Sequence, residues 1–223
     1  MQDYLMGLDG ALFHLTNSVW TSPPLDALMP ALSLAGNLGA VWLVLLGAIA
    51  AFGKNTGRRI ALAGLVALAI GFASSEIIKE ITMRPRPFAA HPGVSLLVGA
   101  PHSYAFPSGH TTSAFAAAGG TILAAKRLLG KVPAWGWGML ALAAAIAYSR
   151  LYVGVHWPTD VAAGVVLGLA SGWAAARLAL RRRRKPALGG TKAATMPPAT
   201  SLAMPVAATA GVREVEYREV THR

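Results

Sequence analysis

The stretch IALAGLVALAIGFASSEIIKEI, from Ile60 to Ile81, decides how the rest of the chain is read. No charge interrupts it before Glu76, and Lys79 stands almost at its end. A helix needs about 20 apolar residues to cross a hydrocarbon core of about 30 Å, so this run reads as a membrane span. Working outward, four further segments read the same way. They are Leu25 to Gly53 (bent near Gly36-Asn37-Leu38-Gly39), Pro107 to Ala125, Pro133 to Tyr152, and Pro158 to Leu180. The expected fold is therefore all-α, a polytopic membrane bundle of five spans.

Composition supports that reading. The chain has 223 residues, of which 54% are apolar and 13% charged. A soluble domain carries about a quarter charged residues, so there is too little polar surface here to cover a water-soluble body. The same figures exclude disorder for the bulk of the chain. With no cysteine, a disulfide scaffold and any cysteine-ligated zinc or iron–sulfur site are excluded, and the redox compartment stays unreadable. Residues 1–22 mix Asp3, Asp9 and His14 with leucines and lack the basic start of a signal peptide. They read as an interfacial helix preceding a membrane domain over 23–185. Residues 186–223, rich in Pro, Ala, Thr and Gly, read as a disordered cytoplasmic tail.

The formal charge of +11 needs a cause. Lysines and arginines prefer cytoplasmic loops. With five spans, Lys54, Arg58 and Arg59, then Lys126, Arg127 and Lys131, then Arg177 and Arg181 to Lys185 all fall on one side. That side is expected to be cytoplasmic, with the N-terminus outside and the C-terminus inside. Topology thus accounts for twelve of the twenty basic residues, and a nucleic-acid partner loses its support. Four more lie in the tail. Lys79, Arg84, Arg86 and Arg150 remain, all at the external span ends, where positive charge runs against the topological bias. Guanidinium and ammonium groups gathered there suggest a bound anion, with phosphate the obvious candidate.

Three local segments sharpen this. In Lys79 to Pro87, prolines end the helix and stiffen two arginines, although a snorkelling lysine near Glu76 or Glu80 would explain Lys79 alone. In Pro107 to Ser113, Ser108 suits a helix N-cap and Gly109 admits close approach to the backbone. Free N–H groups at a helix start attract anions, and His110 stands there to exchange a proton. A bare capping motif explains the serine but not the histidine. In Ser149 to Asp160, Pro158 suits the first helical position and Asp160 follows His156 by four residues. Its carboxylate can hold one imidazole nitrogen and leave the other basic and nucleophilic. A helix-start aspartate beside an interfacial His-Trp pair would be the bland alternative. Three bland readings would have to coincide at one membrane face.

These residues resemble the type 2 phosphatidic acid phosphatase family in its three ordered motifs. Those are Lys79 with Arg86-Pro87, Pro107-Ser108-Gly109-His110, and Ser149-Arg150 with His156 and Asp160. Leu12 to Asn17 and Tyr152 to Pro158 are further similar to bacterial undecaprenyl-diphosphate phosphatases. The resemblance implies a helical core over roughly residues 25–180 in a bacterial inner membrane and a lipid phosphatase that uses no metal. It implies that His156 attacks the terminal phosphorus, Asp160 orients it, and His110 protonates the leaving oxygen and later activates water. Lys79, Arg86, Ser108, Gly109 and Arg150 would hold the phosphate oxygens, with Arg84 assisting. His91 and His102 match nothing and read as loop histidines. Asp160 is the one carboxylate among the external motif residues, so no cofactor or magnesium site is expected. Undecaprenyl diphosphate is the expected substrate. Phosphatidylglycerol phosphate, phosphatidate or lipid A, and phosphoryl transfer to a lipid, remain alternatives. So does a non-catalytic lipid-binding or transport protein, which would need the cations but not a His–Asp pair. Oligomeric state is not legible.

Overall fold

The computed structural model describes residues 2–180, so the expected tail and the Arg181–Lys185 run lie outside the described residues. Among the described residues, eight α-helices run α1 Gln2–His14, α2 Pro23–Ala35, α3 Ala40–Phe52, α4 Lys54–Thr82, α5 Pro87–Ala90, α6 Gly109–Leu129, α7 Ala134–Tyr152 and α8 Pro158–Ala179. A π-helical turn at Leu15–Val19 follows α1, and a 3-10 turn at Asn37–Gly39 joins α2 to α3. No strand occurs among the described residues.

The bend expected in the first apolar segment is a break, with α2 and α3 inclined by 63°. Gly39, in the left-handed region at φ +70°, restarts the chain in a new direction. Lys54–Ala90 and Pro158–Ala179 are long and apolar enough to cross a membrane, and α2 with α3 makes a third crossing if counted as one bent span. Helix α6 also has membrane length, at 21 residues, but is built from Gly, Ala, Ser and Thr because it faces protein. Every residue from Thr111 to Thr121 is buried.

Helix α6 is the axis, with α4, α7 and α8 around it; α3 lies on α4, and α2 on α7. Small residues make this approach close. On α8, Gly164, Gly168 and Gly172 recur every fourth residue and share one helical face. A Cβ on Gly168 would stand 2.6 Å from the Thr112 carbonyl oxygen, and one on Gly172 2.6 Å from the Gly120 nitrogen. Gly71 of α4 meets Ala116 in the same manner. Large apolar side chains point the other way: Val44, Phe52, Leu62, Ile77, Ile81, Val166 and Trp173 are exposed on the outer helix faces. Small residues inside with large ones outside suit lipid, where close van der Waals packing holds helices together.

Helix α1, expected at the interface, docks one face onto the loops at the polar end of the bundle. Its Phe13 is buried against Trp157, with ring centroids 5.2 Å apart. Asn17 joins a loop to the end of α7, its Nδ2 donating to the carbonyls of Ser95 (2.9 Å) and Tyr152 (2.8 Å).

Candidate active site

The seam between α6 and α8 determines where the motif residues meet. Pro158 opens α8, and the Asp160 carboxylate turns back to accept from the Trp157 N–H at 2.8 Å, capping the helix. The Asp160 backbone carbonyl accepts from the Ser108 N–H at 3.0 Å. The N-termini of α6 and α8 are therefore bound directly to each other.

His156 lies just before α8, in a loop turned by Gly154 at φ +84°. A side chain at Gly154 would strike the Ser95 carbonyl. The His156 ring is buried, with Nδ1 3.4 Å from Asp160 Oδ2, close but not hydrogen-bonded, and Nε2 3.2 Å from Arg86 Nη1. A guanidinium only donates, so Nε2 carries the lone pair and the ring proton sits on Nδ1, facing the carboxylate. Burial, and after it the charges of Arg86, Arg150 and Lys79, hold the imidazole well below its ordinary pKa. The ring is thus neutral, with Nε2 beside the Arg86 guanidinium.

His156 borders a cavity of about 400 Å³, lined also by Lys79, Arg86, Gly109, His110 and Arg150 among others. Lys79, in the last turn of α4, pairs with Glu76 at 2.6 Å, as the snorkelling alternative allowed, but it is buried, as a snorkelling lysine would not be. A Cβ on Gly109 would lie 3.0 Å from the Lys79 ammonium, so the glycine gives that cation access to the start of α6. Arg86 is buried and anchored to the carbonyls of Ser103 (2.7 Å), Val155 (2.8 Å) and Tyr104 (3.1 Å). Arg150 is buried at the end of α7 and bonds Ser33 of α2, while its Nε has no protein partner. His110 completes the wall, its Nε2 donating to Asn37 Oδ1 at 2.7 Å. Two histidines and three cations thus line one space.

Two residues stand apart from that space. Ser108 is fully buried, and its hydroxyl is taken up by Thr111 in the first turn of α6 (Oγ to Oγ 2.9 Å), so it does not line the cavity. Arg84, expected to assist with phosphate, points elsewhere. Its Nη1 donates to Asp160 Oδ1 at 2.6 Å, and its Nη2 to Asp9 Oδ2 at 2.5 Å. The reason is local: two buried carboxylates need a counter-charge, and Arg84 stands between them. His91 lies edge-on to Trp157 at 5.6 Å, and His102 is exposed in a loop; neither lines the cavity. Ser33, Asn37 and Asp9 were not singled out by sequence reasoning as site residues. The Gly36-Asn37-Leu38-Gly39 break was the available signal for Asn37. Among the described residues, no three His, Asp or Glu side chains converge in a way that could hold a metal ion.

A membrane bundle with a cation-lined, histidine-bearing cavity at one end defines a class of enzymes acting on phosphate groups at the bilayer surface. The chain belongs to the PAP2 superfamily, whose sequence profile matches residues 60–184. It is 35% identical over 164 residues to the decaprenylphosphoryl-5-phosphoribose phosphatase of Mycolicibacterium smegmatis, covering 74% of this chain and 84% of that one. It is 34% identical over 164 residues to an undecaprenyl-diphosphatase of Sulfolobus acidocaldarius, covering 73% and 74%. The fold matches the crystal structure of Aquifex aeolicus LpxE with TM-score 0.59 and 29% identity, over 75% of this chain and 94% of that one. It also matches the Bacillus subtilis PAP2-type phosphatidylglycerolphosphate phosphatase with TM-score 0.64, over 82% and 89% at 22% identity, a likeness of fold alone. The protein is an integral-membrane lipid phosphatase, a hydrolase of lipid phosphate esters.

Proposed function

We propose that the chain removes the terminal phosphate of a polyprenyl diphosphate, converting undecaprenyl diphosphate to undecaprenyl phosphate and phosphate. The observation that carries this is buried His156, with Nε2 3.2 Å from Arg86, lining a cavity that also gathers Lys79, Arg86 and Arg150. A relative named as an undecaprenyl-diphosphatase supports the substrate.

In this reading the His156 Nε2 lone pair attacks the terminal phosphorus. A P–N bond forms as the bridging P–O bond breaks, and His110 gives a proton to the departing oxygen. Asp160 holds the Nδ1 proton and stabilises the positive charge that grows on the ring. Water then attacks the phosphohistidine, His110 takes its proton, the P–N bond breaks and phosphate leaves. Lys79, Arg86, Arg150 and the Gly109 backbone at the start of α6 neutralise the phosphoryl oxygens throughout. Ser108 contributes by fixing that helix start, and no step calls on a metal.

The catalytic domain covers 23–185 in five spans, with α2–α3 as the first and α4, α6, α7 and α8 as the others. The cavity opens on the external face of a bacterial inner membrane, with the C-terminus in the cytoplasm. The basic residues at the opposite helix ends, Lys54, Arg58, Arg59, Lys126 and Arg127, support that orientation.

A second substrate reading, a phosphoribosyl group on a polyprenyl phosphate, is favoured by the Mycolicibacterium smegmatis relative. Phosphate release by the detergent-purified protein from both compounds, with phosphatidate, phosphatidylglycerol phosphate and lipid A beside them, decides the matter. The expected result is the highest kcat/KM on the polyprenyl diphosphate. Preference for a glycerolipid would overturn both polyprenyl readings.

A further inference from the structure

Asp9 belongs to α1, outside the segment matched by the family profile, yet it is buried beside the His156–Asp160 pair. Its Oδ1 accepts from the backbone N–H of Thr159 at 2.8 Å, capping α8 from another part of the chain. Its Oδ2 accepts from the Thr159 hydroxyl at 2.6 Å and from Arg84 Nη2 at 2.5 Å. Arg84 Nη1 then serves Thr159 Oγ1 and Asp160 Oδ1, each at 2.6 Å. A guanidinium with both terminal nitrogens free grips a carboxylate through both oxygens. Here Asp9 occupies Nη2, so Arg84 holds only one oxygen of Asp160. The other, Oδ2, stays with the Trp157 N–H at 2.8 Å and faces His156 Nδ1.

We propose that Asp9 is a positioning residue for phosphoryl transfer: by engaging Arg84 and Thr159 it keeps Asp160 Oδ2 on the imidazole. The proposal rests on the roles given to His156 and Asp160 above. Asp9 and Arg84 lie behind Asp160 and do not line the cavity. Their loss therefore leaves phosphate capture by Lys79, Arg86 and Arg150 intact and slows the chemical step. Without Asp9, the guanidinium swings onto both Asp160 oxygens and draws Oδ2 from the ring. Displacing a reacting group by about 1 Å can cost about a hundredfold in rate.

The test is steady-state kinetics of the full chain on a polyprenyl diphosphate, using Asp9→Ala, Arg84→Ala, the double variant, Thr159→Val and His156→Ala. Folded protein is quantified for each by size exclusion in detergent. Asp9→Ala is expected to lower kcat by about a hundredfold with KM within about twofold of the parent. The double variant should be no slower than Arg84→Ala, because Asp9 acts through Arg84. Thr159→Val removes only the bridging hydroxyl and should lower kcat by about fivefold at unchanged KM, giving a readout should Asp9→Ala not fold. Parental kcat in folded Asp9→Ala or Thr159→Val protein, or a full additive loss in the double variant, overturns the proposal. A fall confined to the amount of folded protein also overturns it, since that is all a structural role predicts. If His156→Ala keeps its activity, the functional reading fails and takes this proposal with it. An inactive His156→Ala beside a fully active Asp9→Ala sinks the positioning role alone.

Discussion

Helices α6 and α8 meet in two places by opposite means. Along their length the contact is made by missing side chains: Gly168 and Gly172 let α8 approach until their positions lie against Thr112 and Gly120. At their N-terminal ends it is made by polar groups, with Asp160 receiving Arg84, the Trp157 N–H and, across the chain, Ser108. The seam sets a distance and the rim sets directions. Size alone governs the first, whereas charge, donor geometry and protonation govern the second. Damage to one should consequently show in stability and damage to the other in rate.

The largest break in that division is expected at His156. His156→Ala should lower phosphate release by about three orders of magnitude or more, as removal of a positioned acid–base or charge-stabilising group does. Thermal unfolding in detergent should stay close to the parent. His110→Ala is expected to behave likewise, and full activity in both variants would remove the catalytic assignment. At the seam the pattern reverses. Gly172→Val forces a side chain against the Gly120 backbone three turns from Asp160. Overpacking of this kind costs about 1–3 kcal/mol. The melting temperature should drop while the folded fraction keeps its kcat; an unchanged melting temperature would mean the seam is looser than the glycines imply.

The smallest effect joins the two regions. Buried His156 stays neutral in the folded state, whereas in the unfolded chain it titrates near its ordinary pKa of about 6.5. Below that pH the unfolded state binds the additional proton. Stability is therefore lost as pH falls, by at most about 1.4 kcal/mol per pH unit, and is unaffected by this group above about pH 7.5. Melting curves of the substrate-free protein from pH 7.5 down to 5.5 should show this slope, and His156→Gln should reduce it. A slope unchanged in the variant would assign it wholly to other groups.

What could be read from the chain follows the same division. The helix limits of α7 and α8 fall within a residue of those predicted, because prolines open both and the apolar runs are local. Lys79, Arg86, Gly109, His110, Arg150 and His156 do face one cavity, since each stands in a short motif at the end of a helix that closes on its neighbours. The single apolar segment over 25–53 was legible as bent, but not as two helices at 63° that bring Ser33 to Arg150 and Asn37 to His110.

By itself, then, the order of residues determined that the chain enters a membrane as helices and which end of the bundle gathers the cationic and histidine groups. Hydrophobic periodicity, helix breakers and motif spacing all act over a few residues. Only the tertiary structure decided which way each polar side chain turns. Arg84 and Arg86 are two residues apart, yet one spans Asp9 and Asp160 and the other faces His156 and the cavity. That choice depends on a carboxylate 75 residues earlier in the chain. A buried charge takes the partner that packing brings within reach, and sequence distance has no say in it.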